Sequence, residues 1–167
     1  VGALKTRATP EKDHYLIRGQ KVYITWGEHD MTENIVHLVL ARLPDAPLGV
    51  KGISLFLVPK VLVNEDGSLG EKNDLKALSL EDKIGIHACP TCVMSYGEED
   101  GAIGYLVGEE NRGIQCMFTM MNNARLTVGL QGVSVSERAY QQALSFCNER
   151  VQGIAPGFQE PGPIARH

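Results

Sequence analysis

Tyr23 and Thr25 stand two residues apart in the run QKVYITW, Gln20 to Trp26. On an extended chain that spacing points both side chains the same way, with Val22, Ile24 and Trp26 on the opposite face. An aromatic ring beside a hydroxyl suits a flat heterocycle, because the ring packs on its face while the hydroxyl bonds a polar edge atom. Tyr and Thr are also ordinary strand formers, so a plain barrel wall accounts for the same pattern.

Cys89-Pro90-Thr91-Cys92, with His87 two residues upstream, has the spacing of a redox or zinc-binding pair. Redox use needs the first thiolate at a helix N-terminus, and zinc needs two further ligands at matching spacing. The run after Cys92, VMSYGEED, reads as a strand, and the remaining cysteines, Cys116 and Cys147, fall in a helical stretch. Two reduced cysteines in a loop entering a strand are therefore expected. Glu28, His29 and Asp30 are the right types for acid/base or metal chemistry, but neighbours in sequence diverge on an extended chain, so a solvated turn is expected there. The segment Gly108 to Gly113, GEENRG, looks like a phosphate loop. Glu109 and Glu110 would repel a phosphate, and it reads as a connector.

Two kinds of element must position these residues. Up to about Gly108 the apolar runs are short, β-branched and punctuated by Gly, Pro, Asn and Asp: YLI and VYIT, IVHLVLARL, ISLFLV, TCVMSY and IGYLV. That spacing predicts antiparallel strands in a small barrel or sandwich. From about Ile114 the period becomes helical. Met117, Met121, Ala124, Val128, Val135, Ala139 and Ala143 recur on one stripe, predicting a single long helix to about Arg150. Roughly 35 residues at ~1.5 Å each make a rod of about 50 Å, against a diameter of roughly 40 Å for a compact chain of this length. The rod would overhang its domain, and Gly129 and Gly132 inside it are typical of close helix packing, so partner helices from outside the chain are expected; the alternative is a break near Gly129.

With 167 residues and 43% apolar content the chain can bury a core. Its 16 basic and 20 acidic residues are scattered, which favours neither a nucleic-acid groove nor an anionic membrane surface. No run approaches the ~20 apolar residues of a membrane span and no signal peptide is visible, so a cytoplasmic chain is expected. A start at Val1 and an end just after GIAPGFQEPGPIA read as cuts in a longer protein.

VGALKTRATPEKDHYLIRGQKVYITWG resembles the middle domain of the acyl-CoA dehydrogenases, where a Lys-Thr strand leads to a hairpin ending G-x-K-x-Trp-Ile-Thr-Asn-Gly. KIGIHACPTCV is similar to the family's M-G-x-R-x-Ser-x-Thr stretch, and GYLVGEENRGIQCMFTMMNNARL onward to its entry into the C-terminal helical bundle. ITWGEHD and MMNNARL look most like the branch that includes the 3-(methylthio)propanoyl-CoA dehydrogenases. The resemblance implies a mainly β fold with α: an antiparallel β-barrel middle domain over residues 1-110, then the truncated start of the C-terminal helical domain over 111-167.

It also implies roles, position by position. Tyr23, Ile24 and Thr25 would lie against the isoalloxazine of FAD, Tyr23 standing where many relatives have Trp. Cys89 falls where relatives use Ser near the acyl-CoA thioester. Asn122 and Arg125 match an Asp-x-x-Arg pair that contacts CoA, with Asn replacing the Asp. Arg150 matches an arginine that reaches the FAD pyrophosphate of a neighbouring subunit. No catalytic residue is assigned: Ala124 occupies the position at which some relatives carry the general base, which is then expected beyond His167. The implied parent is an FAD-dependent enzyme, a homo-oligomer, that oxidises acyl-CoA to 2,3-enoyl-CoA and passes electrons to a flavoprotein or similar acceptor, with this segment inactive alone. A non-catalytic barrel-and-helix module for oligomerisation or partner binding is the alternative.

Overall fold

A computed structural model describes all residues from Val1 to His167. The strands are β1 (Arg7–Glu11), β2 (His14–Thr25), β3 (Val36–Arg42), β4 (Ile53–Pro59), β5 (Val61–Val63), β6 (Leu69–Lys72), β7 (Leu75–Leu80), β8 (Thr91–Tyr96) and β9 (Ala102–Val107), and one α-helix comes after them, α1 (Gly113–Glu149). By packing, the chain divides into two units, Val1–Thr119 and Met120–His167, the division falling inside α1.

The first unit is the expected barrel. Its strands neighbour one another in the order β1-β3-β4-β9-β2-β8-β7, and β1 also pairs with β2, which closes the first five into a ring. Strand β2 makes this possible by changing partners along its length. Its first part pairs with β1 and β9, and from Gly19 onward it pairs with β8, which with β7 extends the wall. Gly19 has φ +135°, a conformation side chains avoid, and a Cβ there would lie 3.1 Å from the Thr6 backbone. Alternate residues of β2, β3, β4 and β8 turn inward, and Ile17, Val39, Phe56, Val58, Cys92, Met94 and Tyr96 form the core. Each large apolar side chain removed from water there contributes roughly 1.5–3 kcal/mol. The GEENRG segment is a connector, as expected: the buried Ser54 hydroxyl accepts the Asn111 amide at 2.8 Å, and Gly113 sits directly on the Ser54–Leu55 backbone.

The second unit contains most of α1, which runs 37 residues without a break at Gly129 or Gly132. Its apolar residues Leu126, Val128, Leu130, Val133 and Val135 are all exposed. After α1 the tail turns back: Val151 bridges to Pro163, the Ile164 amide donates to the Arg150 carbonyl at 2.8 Å, and the Arg166 guanidinium lies over the Phe158 ring. No helix is long and apolar enough to cross a membrane.

Candidate functional site

Strict alternation breaks down within the Tyr23–Thr25 stretch. Lys21 pairs with Met94 and Ile24 with Cys92, so Val22 and Tyr23 together oppose the single residue Val93, forming a bulge. Tyr23 takes φ 60°, and both side chains end exposed, Val22 at 55% and Tyr23 at 71%. The expectation that Val22 shares a face with Ile24 is thus corrected, because the extra residue of the bulge rotates it outward. Ile24 turns the other way and packs on the core. Thr25 is exposed, and neither its hydroxyl nor that of Tyr23 has a hydrogen-bond partner within the chain.

The same ladder brings the second motif alongside the first. Thr25 stands opposite Thr91, and the Trp26 amide donates to the Pro90 carbonyl at 2.8 Å. Residues far apart in sequence therefore meet at the end of β2. The loop before β8 is held by Lys83, whose Nζ donates to the carbonyls of Ile86 and Cys89. Sequence reasoning passed over Lys83. A lone Lys two residues before Gly85 is a weak signal. Cys89 is half-buried in this loop while Cys92 is fully buried in the barrel core, and both are free thiols. One thiol of the pair thus lies in the loop and the other in the core.

Trp26 has φ 57° and is 40% exposed rather than packed with Ile24, and its ring meets His29 edge-on at 5.7 Å. Trp26, His29, Met31, Leu80, His87 and Pro90 are among the residues around a shallow depression of about 360 Å³. The Glu28–His29–Asp30 turn is less solvated than expected, since Glu28 forms a half-buried ion pair with Lys60. No group of three or more His, Cys, Asp and Glu side chains is arranged to hold a metal ion.

The barrel also holds three titratable groups, the half-buried Lys21 and the buried His37 and Tyr96. Lys21 Nζ donates to the Leu40 carbonyl at 2.7 Å, and burial lowers its pKa to about 8. His37 is 7% exposed and its Nδ1 lies 2.6 Å from the Tyr96 hydroxyl. Burial lowers the His37 pKa and raises that of Tyr96.

The remaining sequence-selected residues belong to the second unit. Asn122 and Arg125 are one helical turn apart, and Arg125 Nη1 donates to Asn122 Oδ1 at 3.3 Å. Arg150 comes directly after α1 with its amide bonded to the Phe146 carbonyl at 2.8 Å and its side chain exposed.

No protein-family profile matches the chain. Among curated proteins it is 53% identical over 170 residues to 3-methylmercaptopropionyl-CoA dehydrogenase of Ruegeria pomeroyi, covering 100% of this chain and 28% of that protein. It is 42% identical over 174 residues to a butyryl-CoA dehydrogenase of Syntrophomonas wolfei, covering 99% and 28% respectively. Among solved structures, butyryl-CoA dehydrogenase from Megasphaera elsdenii superposes with a TM-score of 0.69 at 25% identity, over 98% of this chain and 37% of that one. The chain thus spans about 28% of the length of the curated relatives it matches.

Proposed function

Because this chain belongs to the acyl-CoA dehydrogenase family, matching its middle domain and the start of its helical domain, we propose that it forms the flavin-facing wall and the CoA-contacting helix of an FAD-dependent enzyme that oxidises acyl-CoA thioesters to 2,3-enoyl-CoA. The observation that supports this most directly is the bulge in β2. It turns Val22 and Tyr23 outward together, and it leaves the Tyr23 ring exposed and the Thr25 hydroxyl two residues on without a partner in the chain. Exposed aromatic surface beside an unpaired hydroxyl and irregular backbone is the arrangement a flat heteroaromatic ring would complete, so the residues present fit the group.

FAD, when bound, supplies the two-electron acceptor chemistry. The chain's own residues bind and orient. On this reading Tyr23 packs against the ring system, Thr25 bonds its polar edge, and Ile24 contributes backbone. Arg150, a planar and permanently charged group, suits the diphosphate of a cofactor held by a neighbouring subunit. Cys89, on the loop that abuts Thr25 through Thr91 and Pro90, takes the position beside the acyl thioester. Asn122 and Arg125 meet the CoA moiety, and their mutual hydrogen bond pre-orients the guanidinium. Ala124 carries no titratable group, so the base that removes the substrate α-proton is contributed from outside these residues. The exposed apolar side chains of α1 serve assembly with further helices of a homo-oligomer.

The decisive experiment is anaerobic titration of the flavin-loaded full-length protein with a panel of acyl-CoA thioesters. Bleaching of the flavin absorbance by at least one of them is expected. A flavin that stays oxidised with every chain length would overturn the enzymatic reading and leave a non-catalytic assembly module.

A further inference from the structure

One rung of the barrel wall carries three arginines. Strand pairing sets Arg7 of β1 beside Arg18 of β2 on one side and Arg42 of β3 on the other. Their chain neighbours Ala8, Ile17 and Ala41 are fully buried, so alternation turns the three arginine side chains to the outer face. Neighbouring strands lie ~4.8 Å apart, and like charges set directly opposite one another are destabilising. The three are scattered in the sequence, and only the folded wall brings them together.

The two outer arginines are held by backbone. Arg18 Nη1 donates to the carbonyls of Gly97 at 2.9 Å and Glu99 at 3.1 Å. Arg42 donates to the carbonyls of Pro47, Gly49 at 2.7 Å and Gly2 at 3.2 Å. Carbonyl oxygens fix these guanidiniums without cancelling their charge. Arg7 between them has no hydrogen bond or ion pair within the chain, and neither does the exposed Lys5 two residues before it. None of the four cations pairs with a carboxylate. Lys5, Arg7, Thr9 and Arg42, with Leu43 and Pro44, line a cleft of about 490 Å³. No acidic residue lines it, and Asp45 and Glu110 belong to a separate depression. The cleft falls within the roughly 300–1,000 Å³ of small-molecule sites. A single carboxylate would compensate one of its three cations, whereas the oxygens of a phosphate accept from several donors at once.

We propose that this cleft binds a phosphate group carried by a small molecule, with Arg7 and Lys5 supplying free donors and Arg42 a fixed charge beside them. The site shares no residue with the proposed flavin wall, thioester loop or CoA-contacting helix, and it does not rest on that reading. Two sources carry the required chemistry: the phosphates of a CoA thioester and those of a free phosphate compound.

Inorganic pyrophosphate is the first probe, titrated calorimetrically into the full-length protein at low salt. Wild type is expected to bind it, and Arg7→Gln to bind it about tenfold more weakly, as for loss of one charge-assisted hydrogen bond. Because Arg7 has no partner to lose, the variant should fold, and relief of like-charge repulsion should leave its thermal midpoint in phosphate-free buffer at or above that of wild type. Pyrophosphate should then raise the midpoint of wild type more than that of the variant. No binding to wild type, or equal binding to both proteins, would overturn the proposal. A variant less stable than wild type without phosphate would show that Arg7 serves the fold, and would overturn it too. CoA separates the two sources. If its phosphates fill the cleft, CoA displaces pyrophosphate and binds about tenfold more weakly to Arg7→Gln. If a free phosphate compound does, pyrophosphate stays bound alongside CoA, and both proteins bind CoA equally. Pyrophosphate binding requires no flavin, so failure of the acyl-CoA bleaching experiment and failure of this one are read separately.

Discussion

Thr25 faces Thr91 on the last rung of the β2–β8 ladder, so the end of the aromatic strand and the residue two after Cys89 share one position in the barrel wall. This pairing makes the proposed flavin surface and the proposed thioester loop a single structural object. The Trp26–Pro90 hydrogen bond joins the two strand ends a second time.

Tyr23→Ala and Thr25→Val probe that relationship. Both side chains are exposed and unpartnered, so neither change should alter stability by more than about 0.5 kcal/mol. FAD affinity of the full-length protein, measured by quenching of flavin fluorescence, should fall in both, about fivefold for loss of the Thr25 hydrogen bond. If affinity holds in the double variant, the surface is not the flavin wall.

Lys21 makes a prediction about pH. Its folded pKa of about 8 lies below the ordinary lysine value because burial disfavours the charged ammonium. The unfolded chain therefore binds more protons between about pH 8 and 10, and this group's contribution makes stability rise with pH across that window. Below about pH 8 the buried charge is carried at a cost. Lys21→Met removes both effects. Urea titrations should show the variant at least as stable as wild type at pH 7, with its advantage shrinking towards pH 10. An advantage that instead widens with pH would contradict the assignment.

Much of the barrel can be read in the sequence because five of its strands carry strong β-branched or aromatic runs, and these became β2, β3, β4, β8 and β9. The helix is equally legible, Gly113–Glu149 against an expected start at Ile114 and end near Arg150. Strand β1 escaped notice because RATPE is mostly polar with an edge proline, and β6 because LGEK is exposed throughout. The site was legible only in part. Tyr23 and Thr25 could be picked out by spacing, but the bulge that turns Val22 beside Tyr23 depends on β2 exchanging partners at Gly19, a tertiary event with no local signature. Likewise, Lys60 as the partner of Glu28 lies 32 positions away and is fixed by strand pairing alone.

Asp74 anchors the loop between β8 and β9. Burial would raise its pKa, but amides of Gly101, Glu99, Glu98 and Asp100 together hold the carboxylate below its ordinary value, with hydrogen bonds of 2.8 Å from Glu99 and 3.0 Å from Gly101. A depressed folded pKa contributes stability above the unfolded value near 3.9, and that stability is lost as pH falls through the folded value. Asp74→Asn should cost about 1–2 kcal/mol at pH 7 and flatten the acid limb of the stability profile. An acid limb that keeps its wild-type slope would place the titration elsewhere.

Three glycines of α1 should respond to alanine in opposite ways. At Gly113 a Cβ would lie 2.3 Å from the Ser54 carbonyl carbon and 2.4 Å from the Leu55 nitrogen, both backbone atoms that cannot step aside. Gly113→Ala should therefore destabilise the barrel unit by about 1–3 kcal/mol. At Gly129 and Gly132 a Cβ meets nothing within 4 Å, so in this chain each substitution should favour the helix by about 1 kcal/mol, visible as a higher thermal midpoint by far-UV circular dichroism. The proposed assembly role reverses that sign. Where another helix lies against these glycines the new methyl groups must displace it, so the same two variants should weaken self-association of the full-length protein in sedimentation experiments. Variants that are both more helical and fully assembled would mean that the Gly129–Gly132 face of α1 stays open to solvent in the assembled protein.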